Sequence, residues 1–117
     1  MYESTLERNW ALVFIANRSV INICEQQKVT FIRDGTNRVR FIDFLVWWQD
    51  GSVHAYEVKY AEDARRQRLR EKLAADALCM PRGFADSYRV VTEDDLCKQE
   101  LAQAEATIQS RIDALLV

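Results

Sequence analysis

The feature that most constrains this chain is an acid placed inside an apolar strand. Residues 38–48, Arg-Val-Arg-Phe-Ile-Asp-Phe-Leu-Val-Trp-Trp, form a near-continuous apolar run with Asp43 in its interior. Asp50-Gly51 and a second β-rich run, Ser52 to Tyr60, follow at once. Apolar runs bounded by turn residues are the mark of strands buried on both faces, and Asp-Gly is a strong hairpin signal. Residues 38–60 are therefore expected to form an antiparallel hairpin at the centre of a sheet. A carboxylate in such a strand costs several kcal/mol to desolvate unless it is paired or bound to a metal, so Asp43 demands a partner.

The remaining segments fall around that hairpin. Ser4-Thr-Leu-Glu7 carries a capping-box pattern, and Leu6, Trp10, Val13 and Phe14 recur at helical spacing, which predicts a helix from about 5 to 17. Val20 to Phe31 is rich in β-branched residues and leads into Arg33-Asp-Gly-Thr-Asn37, a strand followed by a turn. Ala61 to Met80 has Leu69, Leu73, Ala77 and Met80 on one stripe and ends at Pro81-Arg-Gly83, the pattern of one continuous helix. Tyr88 to Val91 reads as a short strand. Thr92-Glu-Asp-Asp95 reads as the cap and acidic first turn of a last helix carrying Leu96, Leu101, Ala104, Ile108, Ile112 and Leu115. The order is α-β-β-β-α-β-α, an α/β fold with a mixed central β-sheet flanked by helices, and residues 1–117 are expected to form a single domain.

Composition excludes several classes. With 49% hydrophobic and 29% charged residues, 3 Gly and 1 Pro, the chain is neither a low-complexity linker nor disordered. No apolar stretch approaches the roughly 20 residues of a membrane helix, and Glu3 and Glu7 break the pattern of a secretory leader. Cys24, Cys79 and Cys97 are an odd, widely spaced set with neither disulfide nor paired zinc-ligand spacing, so a reducing cytoplasm is expected. The net charge of −2 argues against a general nucleic-acid coat. Positive charge is nevertheless concentrated at Arg65, Arg66, Arg68, Arg70 and Lys72, which face one acid, Glu71. Such a run is either a solvated helix face or a phosphate-binding flank, with Arg65, Arg68 and Lys72 along one side of the Leu69 stripe and Arg66 and Arg70 along the other.

Alternation along the second hairpin strand places Glu57 and Lys59 on one face with Val53 and Ala55, while His54, Tyr56 and Val58 face the other way. Two readings follow: Glu57 and Lys59 form an exposed ion pair of little energetic weight, or they converge with Asp43 on a hard divalent cation held by oxygen ligands. Glu7 likewise reads either as a capping-box acid or as a further ligand. His54 reads as a packed strand histidine, and Trp47 and Trp48 as core residues on opposite sheet faces.

Five elements in order then resemble the PD-(D/E)xK nuclease superfamily and, within it, the TnsA-type endonuclease subunit of heteromeric transposases. They are Ser4-Thr-Leu-Glu7-Arg8, Glu25-Gln26, Asp43 to Val46, Glu57-Val58-Lys59, and Val90 to Glu93. Ile42 and Gln27 stand where relatives often have proline. The resemblance runs from residue 4 to about 95, the extent of a nuclease core. It implies a restriction-endonuclease-like fold and a Mg-dependent (or Mn-dependent) endodeoxyribonuclease. Asp43, Glu57, the Val58 carbonyl and Glu7 would be metal ligands, Lys59 would orient or activate the attacking water, and Ser4 and Gln26 would support them. The partners implied are DNA, a transposase or other recombination or phage protein, and a second copy of the chain. The rival is an inactive module that kept the fold for DNA binding or assembly; its signature would be loss of Asp43, Glu57 or Lys59, and all three are present.

Overall fold

In the computed structural model the described residues run from Ser4 to Leu116, and Glu3 lies outside them. Helix α1 spans Thr5–Ala16, strands β1 and β2 span Val20–Arg33 and Thr36–Trp48, β3 spans Val53–Val58, helices α2 and α3 span Ala61–Ala64 and Gln67–Cys79, β4 spans Ser87–Val91, and α4 spans Lys98–Leu115. The sheet order is β1-β2-β3-β4, antiparallel except for the parallel β3–β4 pair. The expected mixed sheet and its central hairpin are both present. Asp34 and Gly35, both at positive φ (53° and 73°), make the two-residue β1–β2 turn that Asp-Gly favours.

Each sheet face carries its own core. On one side Phe44, Val46, Tyr56 and Val58 pack with Leu6, Trp10, Ala11 and Phe14 of α1. On the other, Val29, Phe31, Ile42, Leu45 and Ala55 are covered by Cys79, Met80, Phe84 and Tyr88. Trp48 joins the first core and Trp47 the second, as alternation predicts. Within β2 alternation is broken at one place: Ile42 and Phe44, two residues apart, belong to opposite cores. The break falls at Asp43, and in β1 Gln26 adopts a left-handed backbone (φ 52°) between the register pairs Glu25–Phe44 and Gln27–Ile42. The pleat reverses there, so Asp43 is confined to neither core.

Two expectations are corrected. The helix predicted from Ala61 to Met80 is two helices, because Arg66 is extended (φ −67°, ψ 121°). Among the described residues α2 buries none, so no core contact holds it in line with α3, and the adjacent cations Arg65, Arg66, Arg68 and Arg70 repel one another in a continuous helix. The last helix also starts later than expected. Thr92 caps a separate 3₁₀ turn at Glu93–Asp95, its N–H donating to Asp95, and α4 begins at Lys98. Ile112 and Leu115 are exposed at 44% and 84%, not core. The reason is length: at 1.5 Å per residue α4 is about 27 Å long and α1, on which it packs, about 18 Å.

Candidate active site

The β2–β3 register pairs Phe44 with Tyr56 and Leu45 with Ala55, so one further step sets Asp43 beside Glu57. Asp43 is fixed on two sides. Its Oδ2 accepts the Val58 backbone N–H at 2.9 Å, and its Oδ1 accepts the Gln26 amide at 3.1 Å. The left-handed turn of Gln26 is what aims that amide across the strand gap. Glu57 is 2% exposed and lies near enough to the Asp43 carboxyl for that charge to raise its pKa. The exposed Glu57–Lys59 ion pair is therefore not what forms.

The ion partner of Glu57 is Arg40. The Arg40 Nε lies 3.0 Å from Glu57 Oε1, and the Tyr88 hydroxyl donates to the same oxygen at 2.8 Å. Arg40 also reaches Asp76 of α3, Nη1 to Oδ2 at 2.8 Å, and Arg33 closes on the other Asp76 oxygen. A buried ladder Arg33–Asp76–Arg40–Glu57–Tyr88 thus ties β1, β2, β3, β4 and α3 together beneath the site. Burial opposes the charge on Arg40, yet Glu57 and the surrounding groups hold its pKa above the ordinary arginine value. Burial and the neighbouring Glu57 push the Tyr88 phenol well up, so both donors to Glu57 stay protonated.

Burial, and secondarily the Asp43 charge, raise the Glu57 carboxyl from 4.5 to about 7, outweighing Arg40 and Tyr88. The fold therefore holds a proton that the unfolded chain releases. Its stabilising contribution is complete below about pH 4.5 and is lost as pH rises through about 7, on the order of 3 kcal/mol across that window. Urea denaturation in EDTA between pH 4.5 and 7.5 is expected to show this decline, and Glu57→Gln is expected to flatten it.

The other residues singled out by sequence are distributed as follows. The Lys59 side chain opens into a cleft of about 660 Å³ together with Arg33, Asp63, Arg66, Arg68, Leu69 and Lys72. Arg65 ends α2, and Arg70 lines a different hollow beside Tyr88, so the predicted flank of Arg65, Arg68 and Lys72 becomes Arg66, Arg68 and Lys72. The break at Arg66 rephases the run. The Ser4 hydroxyl accepts the Glu7 N–H at 3.1 Å, which caps α1. Glu7 lies on the buried face of α1, packed toward the core opposite the Glu57 side of the sheet. Among the described residues no three His, Cys, Asp or Glu side chains form a metal-holding group. His54 bonds Ser87 at 2.6 Å and takes no part.

Sequence reasoning missed Arg40, Tyr88, Asp76 and Arg33. Asp76 had a signal: it stands three residues after Leu73, inside the apolar stripe of α3, and is 3% exposed. An acid at such a position demands a partner for the same reason that Asp43 does.

A four-stranded mixed sheet with helices on both faces, and two acids brought together on its central strands, define an α/β protein with a restriction-endonuclease-like core. A family model for the TnsA-like endonuclease N terminal matches residues 17–93, well over half of the 117, and the chain belongs to that family. The matched span includes Gln26, Asp43, Glu57, Lys59 and the α2–α3 cations, and leaves out α1 with Glu7, and α4. No match was found among curated proteins. Among the described residues no helix is long and apolar enough to cross a membrane.

Proposed function

We propose that the chain is a divalent-metal-dependent DNA endonuclease that hydrolyses phosphodiester bonds, directed to its site by a transposase or another recombination or phage protein. The observation that carries this reading is the meeting of the Asp43 and Glu57 carboxyls on adjacent central strands, with Lys59 two residues on at the mouth of a cationic cleft. The donor set fits a hard cation. Asp43, Glu57 and the Val58 carbonyl are all oxygen ligands, and Mg²⁺ ordinarily takes one or two carboxylates and leaves its other positions to water and substrate phosphate. When bound, Mg²⁺ or Mn²⁺ supplies charge stabilisation at the scissile phosphate and a more acidic water.

The chain's own residues do the rest. Gln26 and the Val58 N–H hold Asp43 in place, and Arg40 and Tyr88 hold Glu57. Lys59 orients the attacking water and counters phosphate charge. The test is incubation of supercoiled plasmid with the chain in Mg²⁺, Mn²⁺ or EDTA, beside Asp43→Asn. Nicking is expected in either metal, none in EDTA, and none from the variant. DNA binding without nicking in either metal, with the partner protein also present, would favour the inactive module instead.

A further inference from the structure

The cationic cleft has a charge balance that the nuclease reading leaves unexplained. Five cations and one acid line it, and two of the cations are already matched: Arg33 by Asp76, and Arg66 by Asp63 at 3.5 Å. Glu71, the acid within the basic run, bonds Gln67 at 2.9 Å and neutralises no cation there. Lys59, Arg68 and Lys72 remain without an ion-pair partner among the described residues, and they converge on one concavity. Three unmatched cations in one concavity repel one another, and an oxyanion between them relieves that repulsion. A solvated helix face would spread its charges outward; the break at Arg66 instead folds Arg66, Arg68 and Lys72 toward Lys59, which follows β3.

The lining also says what kind of anion. It contains no aromatic side chain on which a base could stack, and Leu69 is its one apolar residue. A free nucleotide would find charge and nothing for its base. The cleft begins at Lys59, two residues beyond Glu57, so a polymer bearing a phosphate at every link reaches the carboxyl pair and the cleft together. We propose that this cleft is a separate phosphate subsite, in which Arg68 and Lys72 grip a backbone phosphate of a nucleic-acid strand next to the reacting one, with no metal and without Asp43 or Glu57, while Lys59 at the cleft's Glu57 end serves the reacting phosphate. The proposal deepens the nuclease reading by giving that site a second point of attachment. Contact is to the backbone, so it positions the strand and reads no sequence.

The experiment is fluorescence anisotropy in EDTA with the full chain and a short single-stranded oligodeoxynucleotide lacking terminal phosphates, across a range of NaCl concentrations. The double variant Arg68→Ala/Lys72→Ala, both at exposed positions, is expected to bind at least about tenfold more weakly, with the slope of log K against log salt shallower by about 0.7 for each phosphate that the variant no longer neutralises. A charge-matched control, Lys98→Ala/Arg111→Ala on α4, is expected to change neither value appreciably. Asp43→Asn is expected to bind at least as tightly as wild type, so a failed cleft and a failed nuclease centre give different results. Wild-type affinity and slope in the Arg68/Lys72 variant, or a loss no larger than the control's, would overturn the proposal. A tenfold preference for the same oligonucleotide carrying a 5′-phosphate would also overturn it, making the cleft an end-phosphate site. Competition by inorganic phosphate that disappears in the double variant supports it.

Discussion

Lys59→Ala is expected to lower plasmid nicking by about a hundredfold or more while leaving Mn²⁺ affinity unchanged or slightly tighter. Glu57→Gln is expected to lower both. The difference follows from charge. The glutamine keeps an oxygen for Arg40 and Tyr88 but removes a negative charge from a hard-cation site. Alanine at 59 removes a positive charge from the same neighbourhood. Calorimetric titration with Mn²⁺ and a nicking assay on one preparation read both quantities. Wild-type nicking by Lys59→Ala, or wild-type metal affinity in Glu57→Gln, would show that the roles are assigned to the wrong residues. Far-ultraviolet circular dichroism of each variant excludes simple unfolding, which is not expected of Lys59→Ala because its side chain opens into the cleft.

The largest stability effect is expected at a residue that never meets substrate. Asp76 is 3% exposed and accepts from both Arg33 and Arg40. Its removal leaves Arg40 with Glu57 as its one remaining carboxylate and takes away the carboxylate that pairs Arg33, beside a buried sheet surface. Breaking a buried ion pair by removing one partner typically costs about 3–5 kcal/mol, and Asp76→Ala is placed in that range. Asp76→Asn keeps an acceptor and should cost less. Urea titration of the three proteins at one pH gives the comparison directly. A loss below about 1 kcal/mol in Asp76→Ala would mean that water replaces the carboxylate and that the ladder contributes little.

The parts of this protein that are legible in its sequence are those where one physical rule acts alone. The Asp50-Gly51 turn and the apolar runs on either side of it determine the central hairpin, and the hairpin register determines that Asp43 and Glu57 meet. Trp47 and Trp48 go to opposite cores because alternation leaves them no choice. The α2–α3 segment is not legible in this way because two rules compete there: helical periodicity favours continuation, while cation repulsion and the lack of a buried contact favour a break. Which wins depends on tertiary packing that no window of sequence contains. The α4 stripe is legible as a helix but not as half-exposed, since its exposure is set by the length of α1, about eighty residues away in the chain. Arg40 and Tyr88 carry no local sign of their role, because each reaches Glu57 from a different strand.

That last arrangement has a consequence for how the site can fail. The two donors from β2 and β4 close on a single oxygen of an acid on β3, so three strands together determine where the carboxyl points. Alignment of the sheet and aim of the acid are in effect one variable. A defect in a distant turn is then a defect in catalysis: Gly51, at φ 87° between β2 and β3, touches no reactive group, yet a residue there that shifted the hairpin by a single position would turn Glu57 toward the opposite core. Cutting would be lost in a protein whose reactive side chains were all intact, and the cause would be found in the turn.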